Sequence, residues 1–269
     1  MEEKFIINKK TRYFILDEVR GLCIFCMIFY HAFYTMSFLF NIKVGSYLFY
    51  FFKPLEPFFA GTFILISGLC CNFSHSNLIR GIKLLGVALT LSIVTYFIGK
   101  DIFISFGILH MLSICMILYG IFEPLIKKIK PIPSIIISSI LYIITIPIQA
   151  GFIGIDGICE IHIPKNLYNI DFLFPFGIYN HKFYSADYFP LFPWMFIFFF
   201  GAFCGAYFLK KQSIDNQLKI QQKNFLDKLL YKNYTPFFSF MGRNSLLIYL
   251  VHQPVIYGIL YIAGLIIKQ

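Results

Sequence analysis

Residues 16–34, LDEVRGLCIFCMIFYHAFY, are the first long apolar run of the chain, and their polar residues fall in odd places for a membrane helix. Asp17 and Arg20 sit in the leading turn, and His31 follows Arg20 by eleven residues, with nine of the ten between them apolar. At about 100° per residue, eleven steps return nearly to the same azimuth, so Arg20 and His31 share one helix face about 16 Å apart along the axis. Asp17, one turn before Arg20, joins that face. An Asp, an Arg and a His turned together toward lipid would cost several kcal/mol, so the stripe must look at protein or at a water-filled cavity. A plainer assignment stays open beside it. In that assignment Arg20 anchors the inner leaflet, neutralised by Asp17, and His31 sits at the far interface, bonded to a backbone carbonyl.

Working outward, hydrophobic residues make up 58% of the chain and charged ones 13%, with a mean hydropathy of +0.73. A soluble domain carries roughly twice that share of charge, so the composition predicts a polytopic membrane protein. The net charge of +10 then reads as orientation signal and not as a nucleic-acid surface, because most lysines and arginines lie in short connectors between apolar runs. The leading EEKFIINKKTR is not expected to be a cleavable signal, because the run after it is long, holds Asp17 and Arg20, and lacks a small-residue cleavage site. Nearly all of the seven cysteines fall inside apolar runs, which predicts small membrane-core residues and neither zinc ligands nor a disulfide framework.

Runs long enough to cross a bilayer fall near residues 14–38, 55–73, 81–99, 103–122, 132–151, 188–209 and 244–266. An interfacial half-helix over residues 45–52, broken at Lys53-Pro54, precedes the second. With the N-terminus cytoplasmic, the inner connectors hold Lys4, Lys9, Lys10, Arg12, Arg80, Lys83, Lys127, Lys128, Lys130, Lys210, Lys211, Lys219, Lys223, Lys228 and Lys232. The outer ones hold only Lys43, Lys53, Lys100, Lys165, Lys182 and Lys268, and this asymmetry predicts N-in, C-out. The expected fold is therefore all-α: a polytopic integral membrane helical bundle of about seven transmembrane helices plus the half-helix, forming one domain over residues 1–269. Residues 151–186, with Asp156, Glu160, His162, Asp171 and His181 among aromatics, suit an ordered outer loop over a cavity. Residues 212–234, polar and lysine-rich, suit a cytoplasmic linker or surface helix meeting anionic lipid.

Further polar residues fall within or beside the spans. Glu56, in KPLEPFFAG, reads first as a charge on a helix N-terminus and second as a group that orients His31 or an acceptor hydroxyl. His110 lies within the fourth span, about 10 Å below its outer end by helical rise. Arg243, Asn244 and Ser245 open the last span at the inner face, with His252 two turns further in. Single histidines of this kind are commonly packing residues, but three of them within the membrane imply a shared polar interior. Asp187, in DYFPLFPW at the entrance of the sixth span, reads as structural first and as a substrate contact second.

Taken in order, the segments TRYFILDEVRGLCIFCMIFYHAF, FFAGTFILISGLCCNFSHSNLIRGIKL, ISFGILHMLSICMILY, ADYFPLFPW and FMGRNSLLIYLVHQP resemble small bacterial members of the heparan-α-glucosaminide N-acetyltransferase catalytic-domain family. The likeness runs from about Thr11 to Tyr261. The first and last segments also resemble the wider transmembrane acyltransferase superfamily, including acyltransferase 3 proteins, whose first helix carries an arginine, ten residues and a histidine. Arg20 and His31 reproduce that spacing. Relative to the lysosomal enzyme, the chain has fewer spans, lacks a large luminal domain, and places His110 where a GVLQR-like stretch has glutamine.

The resemblance implies transfer of an acyl group, acetyl first, from cytoplasmic acetyl-CoA to a sugar or other cell-envelope acceptor at the outer side of a bacterial cytoplasmic membrane. It implies that His31 is the catalytic base and that Arg20 lies on the CoA side. In the combined reading, CoA phosphates lie near Arg20 and the basic connectors, with Asp17, Arg243 and Asn244 as further groups on that side. The pantetheine arm, about as long as the Arg20-to-His31 rise, brings the thioester to His31, and Glu56 or His110 orients the imidazole. The rival from another class is a transporter or flippase whose permeation path is lined by the same stripe.

Overall fold

A computed structural model describes residues 12–74, 76–217 and 231–267. The protein is 78% helical with almost no sheet, and among the described residues seven helices are long and apolar enough to cross a membrane, as the runs of apolar sequence predict. Most of the lysine-rich segment 212–234, together with Lys4, Lys9, Lys10 and Lys268, lies outside the described residues.

The helices are α1 (Phe14–Tyr34), α2 (Lys43–Phe52), α3 (Glu56–Cys70), α4 (Asn77–Ile98), α5 (Ile108–Ile126), α6 (Pro131–Thr145), α7 (Leu191–Gln217), α8 (Pro236–Arg243) and α9 (Ser245–Ile267). The expected half-helix is α2, but Lys53-Pro54 does not break the chain. A single 3-10 turn, Lys53–Leu55, joins α2 to α3 in one apolar stretch from Lys43 to Phe73. Proline is tolerated there because it occupies the first turn of a new helical segment, where its missing N–H has no carbonyl to serve. α1 runs on as a π-helical turn, Thr35–Leu39, directly after the His31 region. Such bulges are rare and cluster at functional sites.

The chain divides into two compact units, Met1–Phe63 with Ile220–Gln269, and Ile64–Lys219, the boundary falling inside α3. In the first unit α8 crosses α1 at van der Waals limits. A Cβ on Gly21 would stand 1.9 Å from the Phe238 carbonyl oxygen, and one on Gly242 1.8 Å from that of Asp17. Glycine at both positions lets the backbones touch, the usual device where helices associate in lipid. At the other end of α1, α2 packs through Phe49, whose ring lies 5.4 Å from Tyr30 and 5.7 Å from Tyr34, and Ser37 bonds Ser46 at 2.8 Å.

In the second unit α4 and α5 make a close antiparallel pair at Gly81 and Gly120, where an added Cβ would stand 2.8 and 2.5 Å from its nearest neighbours. Gly68 and Gly201 do the same where α3 meets α7. Exposed Ile93, Tyr96, Phe97 and Ile98 on α4 are the apolar surface that such a helix gives to lipid.

The fourth span begins at Ile108, five residues later than its hydropathy suggests. The Ala186 N–H donates to the Phe103 carbonyl at 2.8 Å, the Phe189 N–H donates to that of Phe106 at 3.2 Å, and Phe106 bridges Tyr188 in parallel. Backbone pairing to a distant segment therefore outcompetes helix over residues 103–106. Residues 151–186, expected to form the outer loop, hold a two-stranded hairpin, Phe152–Ile155 with Cys159–His162, followed by two 3-10 segments, Lys165–Asn169 and Asp171–Phe176. Phe174 of the second segment forms an aromatic cluster with Tyr179, Phe183 and Tyr188.

Candidate active site

The first turns of α1 carry three charged side chains, Asp17, Glu18 and Arg20, in separate environments. Asp17 is buried and accepts from Arg12 Nε at 2.6 Å, so its partner lies upstream in sequence and is not Arg20. Glu18, buried beside it, accepts the backbone N–H of Tyr234 at 2.6 Å and of Thr235 at 3.0 Å, which holds the chain leading into α8 against α1. Sequence reasoning missed this role. The one available signal was two consecutive carboxylates in the first turn of an apolar helix.

Arg20 is what those pairings leave over. Its guanidinium carbon lies 5.9 Å from the Phe63 ring centroid, and its Nε is buried without a hydrogen-bond partner among the described residues. A cation over an aromatic face keeps some electrostatic compensation. A buried N–H without an acceptor still forfeits about 1–3 kcal/mol, and a ligand anion recovers it.

Eleven residues on, His31 faces α9. Its ring lies 5.0 Å from the ring of His252 at an interplanar angle of 54°, and 5.4 Å from that of Tyr30. His252 is 8% exposed, and its Nδ1 stands 2.5 Å from the Tyr249 carbonyl oxygen. A carbonyl only accepts, so Nδ1 carries the proton and Nε2 presents a lone pair; that Nε2 is buried with no partner. One turn beyond His31, Thr35 bonds Gln253 Oε1 at 3.4 Å, which ties the π-helical turn to the same stretch of α9. His31 and His252 thus form an imidazole pair that spacing along the chain does not reveal.

The remaining expected site residues fall as follows. Glu56 is the first residue of α3, and Phe59 one turn later packs 6.2 Å from Tyr30, so Glu56 belongs to the His31 end of the first unit. Arg243 is exposed, with Nε donating to the Ser239 carbonyl at 3.3 Å. Asn244 closes α8 by donating to the Phe240 carbonyl at 2.9 Å. Through the contact of Gly242 with Asp17, the α8–α9 junction sits at the Arg20 end of α1.

His110 belongs to the second unit and lies in the first turn of α5, not deep in a span. Its Nδ1 accepts the Gly107 N–H at 3.2 Å, and its Nε2 lies 3.2 Å from Ser92 Oγ, which donates to the Ile104 carbonyl at 2.7 Å. Both ring nitrogens are engaged in holding the start of α5. Asp187 works alongside, accepting the Ile108 N–H at 3.0 Å, where a carboxylate also meets the positive end of the helix dipole. Among the described residues no three His, Cys, Asp or Glu side chains are grouped to hold a metal ion.

Seven membrane-length helices define a multi-pass integral membrane protein, and the polar stripe on the first of them is the arrangement expected where a membrane protein handles a charged ligand. Comparison of the chain with known families finds the one described as heparan-alpha-glucosaminide N-acetyltransferase, catalytic, over residues 12–254. The match spans both units, and the chain belongs to that family of membrane acetyltransferases. No curated protein and no solved structure matches it.

Proposed function

We propose that the protein is an acetyltransferase that moves an acetyl group from acetyl-CoA on the cytoplasmic side to a sugar amine or hydroxyl at the outer side of the membrane. The observation that carries this reading is the buried, unpartnered Nε of Arg20, three turns of α1 from His31. A guanidinium is the side chain best shaped to receive a phosphate, and about 16 Å of helix between it and an imidazole matches a long, thin ligand with an anionic head and a reactive far end. The family description supplies the acetyl group and an amino sugar as the acceptor class.

In this reading the acceptor nitrogen or oxygen attacks the thioester carbonyl carbon. The new C–N or C–O bond forms as the C–S bond breaks. His31 takes the proton released by the acceptor and returns it to the departing thiolate, so that CoA leaves as the free thiol. General-base assistance of this kind contributes about 10²- to 10⁴-fold. Glu56, at the same end of the first unit, supports the orientation of the imidazole, and Arg243 and Asn244 add donors at the CoA end. The basic inner connectors set the direction of transfer through the positive-inside rule.

The test uses the full chain in nanodiscs with acetyl-labelled acetyl-CoA and glucosamine. The expected result is acetyl-CoA-dependent thermal stabilisation and label transfer, with transfer abolished in His31→Ala at unchanged yield of inserted protein. A wild-type chain that is neither stabilised by acetyl-CoA nor able to transfer label is not an acetyltransferase, and a carrier of the same shape becomes the better description.

A further inference from the structure

The buried Nε2 of His252 has no use in the resting fold. Nδ1 is held by the Tyr249 carbonyl, which fixes the tautomer and leaves Nε2 as the acceptor. That lone pair is desolvated and unpartnered, and the ring across from it, 5.0 Å between centroids, is His31. A buried acceptor left without a donor destabilises the fold, and a donor that arrives during function would satisfy it. Neutral His31 has a single N–H and does not bond this nitrogen. Imidazolium has two, and the ring turns about a soft terminal torsion.

We propose that His252 is a positioning residue for the transfer reaction: its Nε2 accepts a hydrogen bond from the His31 imidazolium that forms when His31 takes the acceptor's proton. The inference rests on His31 being the base. The proton released by the acceptor amine or hydroxyl goes to His31, one N–H of the resulting cation turns to His252 Nε2, and the proton then leaves with the thiolate as CoA–SH, restoring the neutral pair. His252 itself gains and loses nothing. It supplies an interaction that is absent in the ground state and present while charge develops, which is the kind that raises kcat without tightening substrate binding. Hydrogen bonds of this type are commonly long in the ligand-free protein and tighten in the reactive complex. The Thr35–Gln253 bond supports the geometry, because it fixes the His252 stretch of α9 against the turn that follows His31.

Two substitutions separate this role from packing. An Asn side chain reaches the Nδ1 position and can still donate to the Tyr249 carbonyl, but presents nothing at Nε2. A Gln side chain reaches the Nε2 position with an amide oxygen that accepts a hydrogen bond and cannot take a proton. Acetyl transfer from labelled acetyl-CoA to glucosamine is measured for wild type, His252→Asn, His252→Gln and His31→Ala in nanodiscs. The expected result is a fall in kcat of about 10²-fold for His252→Asn, the usual consequence of losing one pre-aimed polar partner. KM for acetyl-CoA is expected to stay unchanged, and His252→Gln is expected to recover much of the lost rate. Equal losses in Asn and Gln, or an Asn variant as fast as wild type while His31→Ala is dead, overturn the role of His252 and leave the acetyltransferase reading standing. Transfer that survives in His31→Ala overturns His31 as the base, and the role of His252 with it, while the acetyltransferase reading stands; transfer absent from wild type overturns both readings.

Discussion

The carboxylate of Glu18 accepts the backbone N–H groups of Tyr234 and Thr235 at 2.6 and 3.0 Å across a sequence separation of more than 200 residues. The N-terminal N–H groups of a helix have no intrahelical acceptor, and here the first turn of one helix serves the approach to another. α8, eight residues long, is too short to persist without such support. Glu18→Ala removes the shared acceptor of two part-buried N–H groups and is expected to cost about 1–2 kcal/mol. Glu18→Gln keeps an acceptor oxygen and is expected to cost less. Thermal unfolding of the two variants in the same detergent ranks them, and equal midpoints for Ala and wild type would remove Glu18 from the account of how α8 is held.

The Gly21 and Gly242 contacts predict a sharp positional contrast. Gly242→Ala puts a methyl 1.8 Å from the Asp17 carbonyl oxygen, so α1 and α8 must part, at a cost of about 1–3 kcal/mol. Gly86, in α4, has open space where a Cβ would go. Gly86→Ala at that helix-interior position is expected to stabilise by about 0.5–1 kcal/mol through lower backbone entropy in the unfolded chain. A thermal-shift comparison that gave both alanines the same sign would contradict the close crossing.

The spans were legible because a membrane helix must be continuously apolar over its length, which leaves a one-dimensional signal that needs no knowledge of partners. Legibility failed where a distant segment decided the outcome. Residues 103–106 are as apolar as the helix after them, and bonds to the 185–189 segment and to Ser92 and Thr95 of α4 keep them extended. The Arg20–His31 stripe was readable from helical periodicity, since both residues lie on one element. Spacing places Asp17 on that face but does not name its partner, which is Arg12 and not Arg20, because helix periodicity says which residues are close but not which of two close cations is reached. His252 could be noticed as an intramembrane histidine, but its approach to His31 is a property of helix packing that no spacing within α9 encodes.

At His110 the hydrogen bonds predict an effect on folding. The ring accepts from the Gly107 N–H and meets Ser92 Oγ, and it stacks on Phe106 at 5.4 Å. His110→Ala leaves the Gly107 N–H without its acceptor and opens a gap against Phe106, with an expected loss of about 2–3 kcal/mol. His110→Asn keeps an acceptor near the Nδ1 position and is expected to recover part of that loss. If both variants unfold at the wild-type temperature, the ring is not what holds the start of α5.

Arg20 yields the prediction that bears most directly on the ligand. Its Nε is buried and unpartnered while the two neighbouring carboxylates are committed to Arg12 and to the α8 approach, so the local charge is available to an anion. A charge-assisted hydrogen bond to phosphate is worth about 1.5–3 kcal/mol, so Arg20→Ala is expected to weaken acetyl-CoA binding by about 10- to 100-fold. Lysine keeps the charge but loses the planar fork, and Arg20→Lys is expected to fall between the two. The measurement is the acetyl-CoA-dependent thermal shift, repeated with dephospho-CoA and with pantetheine, which lack the 3′-phosphate and the whole nucleotide respectively. If Arg20 receives a phosphate, the penalty of Arg20→Ala shrinks toward nothing for the ligand that lacks the phosphate it holds. A penalty of the same size on all three ligands would mean that Arg20 supports the fold of the site and does not touch the nucleotide end.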